Sequence, residues 1–119
     1  MKNALWFSRH QPTDAQLADT HRLGIEIVDV EWGREIASHD LLTEGDVEET
    51  LDALKKAATA LNAEDILGVW PVPLQERILA GKSPRGGRVK CWAAWNGERS
   101  LEGGKPTFKH LRWCHVGQL

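Results

Sequence analysis

Ser8, Arg9 and His10 are the three adjacent residues of this chain best suited to chemistry. Serine offers a hydroxyl, arginine a planar cation for a phosphate, and histidine a group that gives or takes a proton near neutral pH. Ahead of them runs the unbroken apolar stretch Ala4-Leu5-Trp6-Phe7, the pattern of a strand buried on both faces. Behind them Thr13 and Gln16 stand at N-cap and N3 spacing, the capping-box signature of a helix start. The polar cluster therefore falls between the first strand and the first helix. In open α/β sheets ligands gather there, outside the carboxyl ends of the strands. A helix starting at Thr13 adds its dipole to Arg9 in attracting an anion. The competing reading is a turn in which Ser8 and His10 only satisfy backbone groups. Gln16 reads as a cap rather than a ligand contact.

Other candidates lie further along. Trp70 ends a third apolar run, Asp65 to Trp70, Gln75 follows it, and both should come beside the first corner. There Trp70 could stack on a base and Gln75 could read a base edge; a core Trp and an exposed helical Gln is the alternative. Lys82 and Arg85, with Arg88, sit in or beside the Gly-rich segment 81–87, which by composition is a mobile loop. They could close over an anion or remain solvated. Asn96, at the end of a strand, is weaker still. His110 and His115 share a strand five residues apart, a spacing that puts them on opposite faces and against a joint metal site. Neither GxGxxG nor GxxxxGK[ST] nor GxSxG occurs, which removes ordinary dinucleotide, P-loop and hydrolase readings.

The elements that must position these residues follow from periodicity. A first helix is expected from about Thr13 to Leu23, ended by Gly24, and a second strand over 25–30. Residues 31–45 read as an irregular connection anchored by Trp32, His39 and Leu41-Leu42, long enough to be functional or mobile. Asp46 opens the clearest helix, with Val47, Leu51, Leu54, Ala58 and Leu61 forming an apolar stripe and Asn62 closing it. A third strand over 65–70 leads to a short helix with Pro73 at its first position and Leu74, Ile78 and Leu79 as its apolar side. Strands at 89–95 and 107–116 complete the chain, paired antiparallel, with Asn96-Gly97 and Gly103-Gly104 marking turns. The order β-α-β-α-β-α-β-β gives an α/β fold. Residues 1–119 form a single Rossmann-like three-layer domain, with a mostly parallel sheet and a C-terminal antiparallel strand. The strand order is not readable.

Bulk properties exclude several classes. A chain of 119 residues with 41% hydrophobic and 27% charged residues suits one globular domain and hardly two. Net charge of −2 gives no global basic field for duplex nucleic acid, but leaves room for a small anion held by local cations. No run approaches the roughly 18 apolar residues of a membrane span. The first residues do not read as a signal peptide, so the cytoplasm is the expected compartment. There Cys91 and Cys114 are expected as buried reduced thiols. The five histidines are scattered, so neither metal nor cofactor is expected.

The stretch F-S-R-H-Q-P-T-D-A-Q, from Phe7 to Gln16, resembles the small CRISPR-accessory proteins of the Csx group and their phage-borne relatives. Those open with a hydrophobic strand, a Ser- or Thr-bearing turn, a His and a Thr-x-x-Gln helix start. Leu74-Gln75 on a short helix and Phe108-Lys109-His110-Leu111 in the last strand extend the likeness in order along most of the chain. The resemblance implies a Rossmann-like domain of the kind that senses cyclic oligoadenylate as a homodimer. It also implies ring-nuclease chemistry in some members, without metal, in type III CRISPR signalling. By motif it carries over Ser8, Arg9, His10, Thr13 and Gln75, and by location alone Lys82 and Arg85; taken with the reading of the residues, Ser8, Arg9 and His10 are expected in catalysis and Gln11, Thr13, Trp70, Gln75, Lys82 and Arg85 in ligand binding. A non-enzymatic nucleotide sponge, or a phage or mobile-element protein that binds a host protein, is the contrasting class. Arg9-His10 and Thr13 are also similar to the R-H-G-x-T motif of the histidine phosphatases, although Gln11 stands where that motif has Gly. A phosphatase would draw its second His and late Arg from around His110 and Arg112.

Overall fold

The computed structural model describes residues 1–80, 88–102 and 105–119, with side chains in the last hairpin described for 88–96 and 109–119. Strand β1 (Lys2–Phe7) leads through helix α1 (Asp14–Arg22) to β2 (Ile25–Asp29). Helices α2 (Glu31–Ala37) and α3 (Glu44–Ala60) follow, then β3 (Asp65–Gly68), α4 (Val72–Ala80), β4 (Lys90–Glu102) and β5 (Lys105–Gln118). The five strands form one sheet in the order β2-β1-β3-β4-β5. β1 pairs parallel with β2 and β3, β3 pairs parallel with β4, and β5 returns antiparallel. The result is an α/β Rossmann-like domain in the doubly wound order 2-1-3-4-5, whose switch point falls between β1 and β3.

The apolar run of β1 explains the layering. Alternate residues of a strand face opposite sides, and both sides of this one are covered. Ala4 and Trp6 pack with Ile25, Leu67 and Trp113 on the α1 face. Leu5 and Phe7 pack with Ile36, Leu51, Leu54, Ile66, Trp70, Leu74 and Ile78 on the opposite face, beneath α2, α3 and α4. The capping box at Thr13 and Gln16 is formed in full, and Gly24 takes φ +74° where the helix ends. Asn62 closes α3 with φ +53°, and the amide of Ala63 donates to the Ala58 carbonyl in a Schellman arrangement.

Four local expectations change. The connection 31–45 contains helix α2, whose buried residues are Gly33 and Ile36, while Trp32 and Leu42 are exposed. With only Trp32, Ile36 and Ala37 apolar in seven residues, α2 has too little periodic signal to be seen in sequence; Gly33 is needed because its backbone lies on the Trp6 carbonyl. Helix α3 starts one turn early at Thr43, and Asp46 is its N3 residue. The backbone amides of Leu42 and Thr43 donate to the Asp46 carboxylate and hold it below the usual range. Leu79 of α4 is exposed. Asn96-Gly97 stays inside β4, where the register with β5 shifts, and the Gly103-Gly104 turn lies outside the described residues.

That shift also changes the histidines. Trp95 pairs with Arg112 and Asn96 with His110, so Leu111 is an extra residue and inverts the alternation of β5. His110 and His115 therefore both lie on the α1 face, His110 against Trp113 and His115 against Trp92. His110 Nε2 lies 3.1 Å from Asp19 Oδ2, which also accepts from the Trp113 amide at 3.0 Å. The Trp113 indole donates to Thr20 Oγ1 at 3.0 Å. This polar seam docks α1 onto β5. Burial pushes the Asp19 carboxyl up, but hydrogen bonds from Arg22, His110 and the Trp113 amide outweigh it and leave the group below its ordinary value of 3.8. Among the described residues, no helix is long and apolar enough to cross a membrane.

Two outcomes test this packing. An ideal Cβ on Gly33 would lie 1.4 Å from the Trp6 carbonyl oxygen. Helix propensity favours Gly33→Ala by roughly 1 kcal/mol, yet overpacking against a backbone group costs about 1–3 kcal/mol. The variant should unfold at lower urea than the wild type, and a higher midpoint would refute this seating of α2. Because Asp19 is depressed in the folded state, its contribution is full above the unfolded carboxylate value and fades as pH falls through the folded one. Asp19→Asn should cost about 1–3 kcal/mol at neutral pH, and the gap to wild type should narrow in urea titrations carried progressively below the unfolded carboxylate value. A gap independent of pH would remove the charged seam.

Candidate functional site

The carboxyl ends of β1 and β3 frame a cleft of about 230 Å³. Phe7, Ser8, Arg9 and His10 line it from β1, Val69, Trp70 and Pro71 from β3, and Ile36, Ala37, His39, Leu41 and Thr50 from the α2–α3 region. The position is the one that the doubly wound order favours, because chains leaving β1 and β3 diverge there and open a crevice. Four residues expected from sequence thus meet in one place: Ser8, Arg9, His10 and Trp70.

The turn after β1 is held rigidly. The Trp6 indole donates to the His10 carbonyl at 2.7 Å, and the His10 amide donates to Ser8 Oγ at 3.2 Å. Ser8 is 2% exposed, so its hydroxyl shapes the turn at the cleft wall. Arg9 Nε donates to the Ala37 carbonyl at 2.9 Å, satisfying one of the open carbonyls at the end of α2. Arg34 Nε reaches the Arg9 carbonyl at 3.3 Å and also pairs with Glu31. Gln11 donates to the same Glu31 carboxylate at 3.0 Å. Helix α2 therefore braces the turn, while the Arg9 and His10 side chains stay exposed.

The remaining expected contacts occupy other positions. Trp70 is 3% exposed, packs edge-on to Phe7 with ring centroids 4.8 Å apart, and donates its N–H to the Trp92 carbonyl at 3.0 Å. It forms cleft floor, with little face free for stacking. Gln75 donates to the Trp70 carbonyl at 2.7 Å and holds the β3–α4 turn. Gln11, Thr13 and Gln75 do not line the cleft. Lys82 and Arg85 lie outside the described residues. His39 and Thr50 complete the cleft without having been expected there, because they depend on how α2 and α3 pack over β1. The only hint in the sequence is a histidine placed as an anchor in an otherwise polar connection.

The lining divides by chemistry. Phe7, Ile36, Leu41, Val69 and Trp70 give an apolar floor, and Arg9, His10 and His39 give basic groups; among the described residues no carboxylate lines it. Asp40, Asp46 and Glu49 line an adjoining hollow that shares Ile36, His39 and Thr50 with the cleft. Among the described residues, no three His, Cys, Asp or Glu side chains are grouped as a metal site. Burial, reinforced by the Asp65 carboxylate, pushes the Cys91 thiol up to about 12, which leaves it un-ionised and poorly nucleophilic. Cys91 and Cys114 are both free cysteines, Cys91 buried and Cys114 half-buried.

No family model, curated protein or solved structure matches the chain.

The Gln75 geometry makes a direct prediction. Gln75→Ala leaves the Trp70 carbonyl without its side-chain donor and should lower stability by about 1 kcal/mol in urea unfolding. An unchanged midpoint would mean that the backbone bonds from Leu74 and Gln75 to Pro71 hold this turn by themselves.

Proposed function

We propose that the cleft binds a cyclic oligonucleotide, cyclic oligoadenylate by preference, with two copies of the chain sharing one ring. The observation that carries this reading is the convergence of basic Arg9, His10 and His39 on an apolar floor at the β1/β3 switch point. A nucleotide matches that division, its base suited to the apolar floor and its phosphate to the guanidinium. Among the described residues no lining carboxylate is present to repel the phosphate. The resemblance of residues 7–16 to the Csx-group proteins supports the same ligand class.

Size supports the second copy. At about 230 Å³ the cleft is smaller than a typical small-molecule pocket of roughly 300–1,000 Å³. One protomer then accommodates one repeat of a ring, and a ring with a two-fold axis is met by a two-fold pair of protomers. The histidine-phosphatase alternative gains nothing from the structure. It needs His110 and Arg112 beside His10, whereas neither lines the cleft: His110 is bound to Asp19 and Arg112 covers the Trp95 ring at 4.7 Å.

Incubation of the purified protein with cyclic tri-, tetra- or hexa-adenylate should raise its melting temperature, by an amount equivalent to about 2.7 kcal/mol at a hundredfold excess over Kd. Arg9→Ala should abolish that rise while the unliganded variant still folds. Full retention of the rise would confine Arg9 to its bond with the Ala37 carbonyl, and no rise with any ring would overturn the reading.

A further inference from the structure

Charge is unevenly placed along this chain. Residues 88–119 carry six lysines and arginines against two acidic residues, and residues 1–87 carry nine against fifteen. A net charge of −2 therefore conceals a basic C-terminal hairpin on an acidic body. The described side chains of that hairpin, at 88–96 and 109–119, include Arg88, Lys90, Lys109 and Arg112 and no Asp or Glu.

The hairpin also outruns the sheet. β3 pairs with β4 only from Lys90 to Ala93, whereas β4 and β5 stay paired as far as Glu102 and Lys105. Along one face of this ribbon the cover runs out. Helix α4 closes the near end, where Ile78 stands against Gly117 and Cys91 is buried. Ala93 and Cys114, paired beyond them, are half-buried. Trp95 comes next on the same face and is 52% exposed. Arg112, its cross-strand partner, is exposed as well and sets its guanidinium 4.7 Å from the centre of the indole ring. The extra residue Leu111 turns His110 to the α1 face, so exposed Lys109 falls on the face of Trp95 and Arg112.

We propose that this face of the hairpin binds single-stranded nucleic acid, with Trp95 as the stacking platform for a base and Arg112 and Lys109 as the holders of neighbouring phosphates. Charge complementarity identifies a polyanion, because the cations here are exposed and no carboxylate of the described hairpin neutralises them. The indole narrows the class. Every base offers a π-face to an exposed aromatic ring, and an arginine beside that ring adds its charge to the contact. A duplex keeps its bases stacked on one another, so it would use the cations and leave Trp95 idle. An acidic polypeptide would do the same. None of Trp95, Lys109 and Arg112 lines the cleft at the ends of β1 and β3, so the proposal stands apart from the cyclic-oligonucleotide reading.

The test is fluorescence anisotropy of a labelled oligothymidylate of about 16 nucleotides, titrated with the full chain at several salt concentrations. Wild type should bind, more weakly as salt rises. Trp95→Ala should weaken binding by about fivefold or more, and Trp95→Phe should retain most of it. Arg112→Gln should weaken binding and reduce the slope of log affinity against log salt by about 0.7. Lys56→Gln, which removes an exposed cation from α3, should bind like wild type. The melting temperature of each variant without oligonucleotide is the folding control. No binding by wild type, or wild-type binding by folded Trp95→Ala, would overturn the proposal. Tighter binding of a duplex of equal length would overturn it too, as would displacement by polyglutamate at equal charge. A missing melting shift with the cyclic adenylates would remove the cleft reading and leave this one standing.

Discussion

Trp6, through its ring and its backbone carbonyl, sets the geometry on which both faces of the molecule depend. It lies on β1, an interior strand, is 1% exposed, and its ring meets Trp113 of β5 at 5.8 Å, edge to face. An indole buried this fully needs a partner for its N–H, and here the partner is the His10 carbonyl. One hydrogen bond thereby links the core on the α1 side to the turn that carries Arg9 and His10. On the other side of the same residue, the Trp6 carbonyl leaves room only for the backbone of Gly33 in α2. Strand, turn and helix are thus fitted to one another around a single residue.

The two faces of the sheet use different forces. The face beneath α2, α3 and α4 is closed by aliphatic and aromatic burial, from Leu5 and Phe7 through Leu54 and Leu74 to Ile78. The α1 face has a smaller apolar cluster and adds a polar seam, in which Asp19, Thr20 and the Gln16 carbonyl receive donors from β5. Satisfied polar groups of this kind contribute modestly when made but cost heavily when broken. The seam holds the long β4–β5 hairpin to the rest of the sheet, since β3 pairs with β4 only from Lys90 to Ala93.

Much of this was legible in advance where the signal was local. The capping box at Thr13 and Gln16, the glycine after α1 and the apolar stripe of α3 each depend on residues a few positions apart, and each formed. Helix α2 was not legible, because it is short and is held by Gly33 and Ile36 against β1 rather than by its own periodicity. The faces of His110 and His115 were misread for a related reason. Counting by twos fails once Leu111 is inserted opposite no residue of β4, and only the pairing reveals that.

The candidate site divides in the same way. The sequence by itself determined that a buried strand would deliver Ser8, Arg9 and His10 to the start of a capped helix, because strand burial and capping are encoded by neighbouring side chains. Tertiary structure decided the rest. The order 2-1-3-4-5 set Trp70 beside that corner but left it as floor, and Gln75 was spent on a backbone carbonyl. It also brought His39 and Thr50 into the cleft from segments with no sequence relation to β1. Their positions follow from the packing of α2 and α3 over β1, a contact between distant segments that local spacing does not encode.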